Sequence, residues 1–198
     1  RLLAFNLGNY PRTLTSPATP FASGMYLILS TSLNPNSRSR VLAREIQSRL
    51  AGQSDVQFYD LQDVNLPMCD GGACYADEEV QRLGGLVSSA DGIIMATPVY
   101  NYDVSATAKN VVELTGKAWT DTVAGFVCAA GGGVSYMAVM GIANSLMLDF
   151  RTFILPKFVF ATGAAFDDEN NLIDERVGER LDELAGSLVR VTEALRKD

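Results

Sequence analysis

The chain has 198 residues, of which 47% are hydrophobic and 20% are charged, and its formal net charge is -7. This length suits one well-buried domain, and the negative charge argues against a nucleic-acid partner, whose phosphates would be repelled. The sequence contains no histidine, which excludes hydrolases built on a Ser–His or Cys–His pair and zinc enzymes with imidazole ligands.

Residues 1–24 form an extension that we expect to lie outside the core. Pro11, Pro17 and Pro20 interrupt it, and no hydrophobic period is sustained. Because the first residue is Arg and a compact apolar signal segment is lacking, we expect either foreign upstream sequence or an arm that packs on a partner subunit. The domain itself is predicted to cover residues 25–198.

From residue 25 onward, short apolar runs alternate with segments of helical periodicity. Near-continuous apolar runs are typical of strands buried on both faces. The alternation predicts an α/β fold: a flavodoxin-like, doubly wound sheet of five parallel strands in the order 2-1-3-4-5, with helices on both faces. No run reaches the ~20 residues of a membrane helix, so no membrane is expected. The predicted strands are Met25–Ser30, Val56–Asp60, Gly92–Thr97, Ala124–Ala129 and Phe153–Thr162, and the predicted helices are Ser39–Leu50, Asp77–Ser89, Ser105–Lys117, Ser135–Phe150 and Asp174–Arg196.

The loop after the first strand carries the donors of a phosphate site. Residues 32–39 read Ser-Leu-Asn-Pro-Asn-Ser-Arg-Ser and lead into a helix. Free N–H groups and the positive end of the helix dipole favour an anion there, and the hydroxyls of Ser32, Ser37 and Ser39 and the guanidinium of Arg38 add donors. Since no Gly-Lys-Ser/Thr pattern follows, a phosphate monoester fits better than a nucleoside triphosphate. The same residues would also make an ordinary helix N-cap.

The loops after the third and fourth strands should converge on the same edge of the sheet. In residues 97–103, Tyr100 and Tyr102 can offer aromatic faces and Asn101 can hydrogen-bond a heterocycle. Residues 129–135 contain three successive glycines, which let backbone N–H groups approach a flat ring closely. Together the three loops predict a pocket for a phosphorylated planar heterocycle, although strand-end packing and a flexible turn are simpler interpretations of each loop alone.

Cys69, Cys74 and Cys128 are an odd number of cysteines in a chain with no recognisable secretory segment. A disulfide framework is therefore not expected, and a cytoplasmic location is. Cys69 and Cys74 lie beside Asp70, but a zinc site would need further carboxylates or thiols, so no metal site is predicted. The acidic run at residues 167–169 is expected to be a solvated turn.

Two of the three loops match the motifs of a known family. Residues 32–37 correspond to a Ser-Leu-Arg-x-x-Ser loop, and residues 98–101 correspond to a Pro-Glu-Tyr-Asn motif that is followed by a lysine and an asparagine, here Lys109 and Asn110. On these motifs the sequence resembles the NADPH-dependent FMN reductase family, a flavodoxin-like group that includes flavin-dependent quinone, chromate and azo reductases. The resemblance extends from Met25 to about Thr162.

The resemblance implies an FMN site in which the first loop holds the phosphate, the second borders the isoalloxazine and the third contacts its pyrimidine edge. Two positions depart from the family pattern. Asn34 stands where arginine is frequent, so Arg38 or Arg40 would have to supply that charge. Val99 replaces a frequent glutamate, which removes any role of that carboxylate at the nicotinamide. The implied cofactor-binding residues are Ser32, Asn34, Asn36, Ser37, Arg38, Ser39, Pro98, Val99, Tyr100, Asn101, Tyr102, Ala130, Gly131 and Gly132.

The resemblance further implies an oxidoreductase that passes hydride from NADPH or NADH to FMN and on to a small-molecule acceptor, such as a quinone, a flavin, an azo compound or a metal. No catalytic side chain is then needed, because the flavin carries the chemistry. The alternatives are a flavodoxin-type electron carrier and a non-enzymatic thiol redox sensor or interaction module that uses Cys69 and Cys74. We expect Asp70 and Asp77 to oppose the sensor by raising the thiol pKa.

The resemblance also implies a homodimer or homotetramer in which a neighbouring subunit helps to close the flavin site. The apolar stretch at residues 136–140 contains two methionines and a tyrosine. Such a stretch can supply contact area for a second subunit, and it can equally be an ordinary core-facing helix.

Overall fold

Seven strands and five α-helices alternate along residues 24–52 and 55–196, which are the residues that the computed structural model describes. The predicted extension at residues 1–24 lies outside this range, apart from Gly24. The strands are β1 (Met25–Ser30), β2 (Asp55–Asp60), β3 (Gly92–Tyr100), β4 (Asp103–Val104), β5 (Val123–Ala130), β6 (Phe153–Ile154) and β7 (Val159–Thr162). The helices are α1 (Arg38–Leu50), α2 (Glu78–Ser89), α3 (Ala106–Thr115), α4 (Met140–Phe150) and α5 (Glu175–Leu195).

The strands form one sheet in the order β2-β1-β3-β5, and β6 and β7 share the fifth position beside β5. These pairings are parallel, which confirms the predicted fold class and the order 2-1-3-4-5. Strand β2 lies on one side of β1, whereas β3 and the later strands lie on the other, so the order of strand addition changes direction between β1 and β3. At such a switch point the loops at the carboxyl ends of the strands leave a crevice.

Helix starts follow their N-cap side chains. Each capping oxygen accepts a hydrogen bond from a backbone N–H in the first turn, which is the role that serine and aspartate favour. These caps fix four of the helices to within one residue of the predicted starts. The capping residues are Ser37 for α1, Asp77 for α2, Ser105 for α3 and Asp174 for α5.

The single strand predicted over Phe153–Thr162 is wrong, because the segment forms two short strands. Pro156 has no backbone N–H for the ladder, and Lys157 adopts a left-handed φ of 60°. Ile154 pairs with Ala124 and Val159 pairs with Val127. The segment thus bulges away from β5 and then rejoins it in a new register.

The predicted helix over Ser135–Phe150 is wrong in its first third. Residues 133–139 instead make successive short turns, and the α-helix begins at Met140. The ring of Tyr136 stacks on Phe158 at 4.8 Å, so tertiary packing overrides the helical pattern. The predicted helix Ser105–Lys117 also ends early, at Thr115, because Gly116 has a φ of 42° and opens a short 3-10 turn that ends at Trp119.

The sheet separates two hydrophobic clusters of described residues. Along β1, Leu27 and Leu29 face the cluster under α2, α3 and α4, while Tyr26 and Ile28 face the cluster under α1 and α5. This alternation is the period of a strand buried on both faces. The indole of Trp119 is fully buried in the first cluster and donates to Thr115 Oγ1 at 2.8 Å.

By composition alone, the segment Gly133–Phe150 is a candidate membrane span, with a mean hydropathy of 1.2. Only Met140–Phe150 of this segment is α-helical. Eleven helical residues reach about 16 Å, roughly half the thickness of a bilayer core. Since 28% of the segment is buried, it also presents an exposed apolar surface.

Candidate functional site

The loops after β1, β3 and β5 enclose a cleft of about 570 Å³ at the carboxyl edge of the sheet. This volume lies within the range of cofactor sites. Eleven of the fourteen predicted cofactor-binding residues line the cleft; Asn101, Tyr102 and Gly132 do not. The lining residues are Ser32, Asn34, Asn36, Ser37, Arg38, Ser39, Pro98, Val99, Tyr100, Ala129, Ala130, Gly131, Asp168, Glu169 and Asn170.

The loop from Ser32 to Ser39 is held by its own side chains. The backbone N–H of Asn34 donates to Ser32 Oγ at 3.2 Å, and that of Asn36 donates to Asn34 Oδ1 at 2.9 Å. Ser37 Oγ caps helix α1 and lies 2.8 Å from Ser39 Oγ, with both residues buried. The loop therefore presents the N-terminus of α1 and two hydroxyls in a fixed arrangement, which suits an anion.

Arg40 braces this loop and is not among the residues that line the cleft. Its guanidinium donates to the carbonyl oxygens of Ser32 and Asn34, at 2.9 and 2.8 Å, and pairs with Asp60 at the end of β2. These partners occupy both edges of the guanidinium fork. Of the two arginines considered as replacements for the family arginine at position 34, Arg38 is therefore the one available to a ligand.

Arg38 lies in the cleft between the first loop and the segment at residues 167–171. Its Nε donates to Asn170 Oδ1 at 3.0 Å, and its guanidinium lies 5.4 Å from the ring of Phe166. Asn170 Nδ2 in turn donates to the carbonyl oxygen of Asn36 at 3.4 Å. The acidic segment was expected to be only a solvated turn. Asp168 and Glu169 are exposed, but the segment also closes one end of the cleft.

Asp168 and Glu169 bring two carboxylates to the anion-binding end of the cleft. No local sequence signal predicts this placement, since the contact to Asn36 joins residues 134 positions apart. An asparagine that follows an acidic turn is common in loops. A bound anion would feel these charges, and both side chains are exposed, so the repulsion is screened by water and salt.

The loop after β3 is a tight hairpin. Val99 pairs with Val104 and Tyr100 pairs with Asp103, so Asn101 and Tyr102 occupy the two positions of the turn, with φ of 51° and 67°. Positive φ at both positions defines a type I′ turn. The turn carries Asn101 and Tyr102 to the hairpin tip, which is why the structure does not place them in the cleft.

Hydroxyl groups form a buried network behind the cleft. Ser105 Oγ, which caps α3, lies 3.3 Å from both Thr31 Oγ1 and Thr97 Oγ1 and 2.8 Å from Thr107 Oγ1. Thr31 follows β1 and Thr97 lies near the end of β3, so the network ties two strand ends to the start of α3. Such mutually bonded groups rigidify the floor of a site.

The glycine-rich loop after β5 forms the opposite wall. A Cβ atom added to Gly131 or Gly132 would meet no described atom within 4 Å. Open space beside a bare backbone lets N–H groups approach a flat ligand. The loop continues into Tyr136, whose ring is anchored on Phe158 and Phe160.

The model of the NADPH-dependent FMN reductase family matches residues 25–167. The chain belongs to this family. An NAD(P)H-dependent FAD/FMN reductase from Geobacillus thermodenitrificans is 30% identical over 72% of the chain and 78% of its own length. An NADPH:quinone oxidoreductase from Arabidopsis thaliana is 33% identical over 54% of the chain and 58% of its own length.

Among solved structures, the flavoenzyme NAD(P)H:(acceptor) oxidoreductase FerB from Paracoccus denitrificans superposes with a TM-score of 0.72. It covers 86% of the chain and 98% of its own length, and at 20% identity the likeness shows the fold. Membership of the FMN reductase family makes the chain an oxidoreductase, with FMN as its flavin and NAD(P)H as its reductant.

The donor set of the cleft fits FMN. A phosphate monoester suits the helix N-terminus with Ser37, Ser39 and Arg38, and a flat ring suits the space between the β3 hairpin and Gly131. The lysine and asparagine that follow the second family motif are not among the residues that line the cleft. Lys109 pairs with Glu113 at 2.6 Å, and Asn110 binds the backbone of Pro67 and Cys69.

Proposed function

We propose that this FMN reductase binds the FMN phosphate at residues 32–39 and the isoalloxazine between the β3 hairpin and the loop at residues 130–132. The observation that supports this most directly is the convergence of the three loops on one cleft. Serine, asparagine and arginine donors lie at one end of that cleft, and a bare backbone lies at the other.

The side chains would bind and orient the cofactor. Ser37 and Ser39 would hydrogen-bond the phosphate and Arg38 would offset part of its charge, while Arg40 and Asp60 keep the loop in its bound shape. Backbone N–H groups at residues 130–132 would stabilise negative charge at the pyrimidine edge of the ring. When bound, FMN supplies the redox chemistry, taking a hydride from the nicotinamide and reducing an acceptor.

We further propose that the acceptor is a small quinone or a flavin, as the names of the two relatives suggest. Gly131 leaves open space beside the proposed ring position, which would admit acceptors of different shapes. We place the reaction in the cytoplasm, since NAD(P)H is a cytoplasmic reductant and the three cysteines are free thiols.

We also propose that the chain is a homodimer or homotetramer whose partner subunit covers the ring end of the cleft. Four apolar side chains are exposed beside that end: Tyr100 on the hairpin, and Val134, Met137 and Met140 after the glycines. A cluster of exposed apolar groups is typical of a protein interface, and a second copy with the same cluster would bury it.

The experiment that tests the proposed function is an anaerobic visible spectrum of the FMN-loaded, desalted protein before and after addition of NADPH. We expect a retained flavin band that bleaches. A retained band that NADPH and NADH leave unchanged would favour the electron-carrier alternative. If no band is retained and the protein does not accelerate NADPH oxidation with excess FMN, the assignment of the cleft is wrong.

A further inference from the structure

Two thiols meet in a loop outside the flavin cleft. Cys69 and Cys74 flank the sequence Asp-Gly-Gly-Ala in the connection between β2 and α2. Cys69 is partly exposed and packs against the small buried cluster that contains Cys74, Val80 and Leu114. Cys69 Sγ also lies 3.5 Å from the hydroxyl of Tyr75. The proposed flavin chemistry uses none of these groups.

The loop turns back on itself between the two cysteines. Asp70 Oδ1 accepts hydrogen bonds from the backbone N–H groups of Gly72, at 2.8 Å, and Cys74, at 3.1 Å. Gly71 has a φ of 72°, which glycine adopts without steric cost. A disulfide requires the two Cβ atoms to approach to about 4 Å. The glycine pair lets this short loop make that adjustment without moving the strands and helices around it.

The two thiols have opposite character. The hydrogen bond from the Tyr75 hydroxyl lowers the pKa of Cys69, whereas burial raises the pKa of Cys74. The expectation that Asp70 and Asp77 would raise the pKa of both thiols is therefore wrong for Cys69. Hydrogen bonds from Cys74 and from the backbone N–H of Gly72 lower the pKa of Asp70 to about 2. Asp77 is occupied as the N-cap of α2. An accessible thiol with a lowered pKa next to a second thiol is the arrangement of reversible oxidation sites.

A small cavity gives solutes access to this pair. It has a volume of about 210 Å³ and is lined in part by Cys69, Tyr75 and Lys109. Peroxide is small enough to enter it. Lys109 pairs with Glu113 in the cavity wall, and Asp149 adds a second carboxylate, so the lowered pKa of Cys69 comes from the Tyr75 hydroxyl and not from local positive charge. Cys128 differs in this respect: it is fully buried in β5, and burial raises the pKa of its thiol.

We propose that Cys69 and Cys74 form a reversible disulfide, with Cys69 as the thiol that reacts with peroxide and Cys74 as the thiol that resolves it. The Cys69 thiolate attacks one peroxide oxygen, the O–O bond breaks, and the sulfur becomes a sulfenic acid as water leaves. The Cys74 sulfur then displaces the sulfenic hydroxyl, which leaves as water with the Cys74 proton, and the S–S bond forms. Two thiols and one peroxide thus give one disulfide and two waters, and a dithiol reductant reverses the change.

The disulfide would change a loop that is connected to the flavin cleft through α3. The N–H of Cys69 donates to Asn110 Oδ1 at 2.9 Å, and Asn110 Nδ2 donates to the carbonyl of Pro67 at 3.0 Å. Asn110 lies about one and a half turns after Ser105, which caps α3 and joins the hydroxyl network. The inference itself does not depend on flavin binding, because the thiols and the peroxide are sufficient for the chemistry.

The test uses the reduced, desalted full chain, treated with one equivalent of hydrogen peroxide, then denatured, alkylated with iodoacetamide and digested for mass spectrometry. We expect the alkylated cysteines to fall from three to one, with a peptide pair linked through Cys69 and Cys74 that dithiothreitol separates. Cys128→Ser is the matched control and should give the same linked pair. In Cys74→Ser, the probe dimedone should label Cys69 as a sulfenic acid.

The result that would overturn the proposal is peroxide treatment of the wild-type chain that leaves both thiols alkylatable, or that oxidises them without a linked pair. Labelling of Cys128 in place of Cys69 would also overturn it. The wild-type digest decides the matter even if Cys74→Ser fails to fold. A parallel flavin spectrum on the reduced chain tests the proposed function separately, so either proposal can fail alone.

Discussion

The two ends of the cleft are built differently. At the phosphate end, the first loop is fixed by Ser32, Asn34 and Ser37 and braced from behind by Arg40. At the ring end, the wall is a bare backbone at Gly131, and apolar side chains beside it are exposed. One end is complete within a single chain. The other lacks a cover.

This difference predicts which end of the cleft should bind the phosphate of FMN and which should bind its ring. Groups held in place before binding lose little conformational entropy when the ligand arrives, so the phosphate end should anchor any phosphorylated flavin. The ring end should depend on the flavin itself and on a second subunit. Changes at the first end should affect FMN and spare riboflavin, which has no phosphate, whereas changes at the second end should affect both.

The largest effect is expected for Ser37→Asp. Aspartate preserves the N-cap of α1, but its carboxylate would face the phosphate, so FMN affinity should fall on the order of 100-fold. Riboflavin affinity, measured in the same titration by flavin fluorescence, should stay unchanged. Equal losses for FMN and riboflavin, or no loss for FMN, would show that the phosphate binds elsewhere.

A second, smaller effect is expected at the ring end. Met137 and Met140 are exposed, and replacing both by glutamate should dissociate the proposed oligomer in sedimentation velocity. It should weaken FMN and riboflavin alike by about tenfold, since about 1.4 kcal/mol of apolar cover is lost. Met68→Glu, at an exposed position on the loop after β2, is the control. If the wild-type chain sediments as a monomer, the proposed cover is wrong.

Arg38→Gln should weaken FMN by about five- to tenfold through loss of one charge-assisted contact. Riboflavin should be unaffected, as in Ser37→Asp. The matched control is Arg44→Gln on the same helix, because the Arg44 guanidinium stacks on Phe58 at 3.4 Å and is not among the cleft-lining residues. An Arg38 variant with wild-type FMN affinity would indicate that the helix N-terminus and hydroxyls are sufficient.

The smallest effect should come from Asp168→Asn combined with Glu169→Gln. Removing two exposed carboxylates at the phosphate end should strengthen FMN by about two- to threefold, because exposed charges interact weakly through water. FAD, whose pyrophosphate carries about the same total charge as the phosphate monoester of FMN, should gain about as much as FMN. Both gains should shrink as salt is raised; a gain that persists in high salt would point to a change in shape and not in charge.

The strands of the sheet and the phosphate end of the cleft could be predicted from the sequence. Apolar runs mark the strands, and Ser37, Asp77, Ser105 and Asp174 mark the helix starts, because capping is a local interaction that depends on neighbouring residues. The loop at residues 32–39 follows directly from a strand and a cap. Its place at the cleft could therefore be predicted without knowing any long-range contact.

The parts that could not be predicted depend on contacts far apart in the sequence. Asn170 reaches Asn36, and Tyr136 stacks on Phe158 and shortens α4; neither pair has a local signature. Asn101 and Tyr102 lie outside the cleft lining for another reason. They lie within a recognisable motif, but a type I′ turn, fixed by the pairing of Val99 with Val104, carries them past the rim.

The position of Trp119 gives this protein a built-in optical reporter. It is the sole tryptophan of the chain, and its buried indole follows α3, which begins at the floor of the cleft and is about 15 Å long. Its emission should therefore come from one apolar environment and shift to the red on unfolding. A flavin in the cleft absorbs where tryptophan emits, so it should dim the same signal. One unlabelled fluorescence trace can thus follow both folding and flavin occupancy.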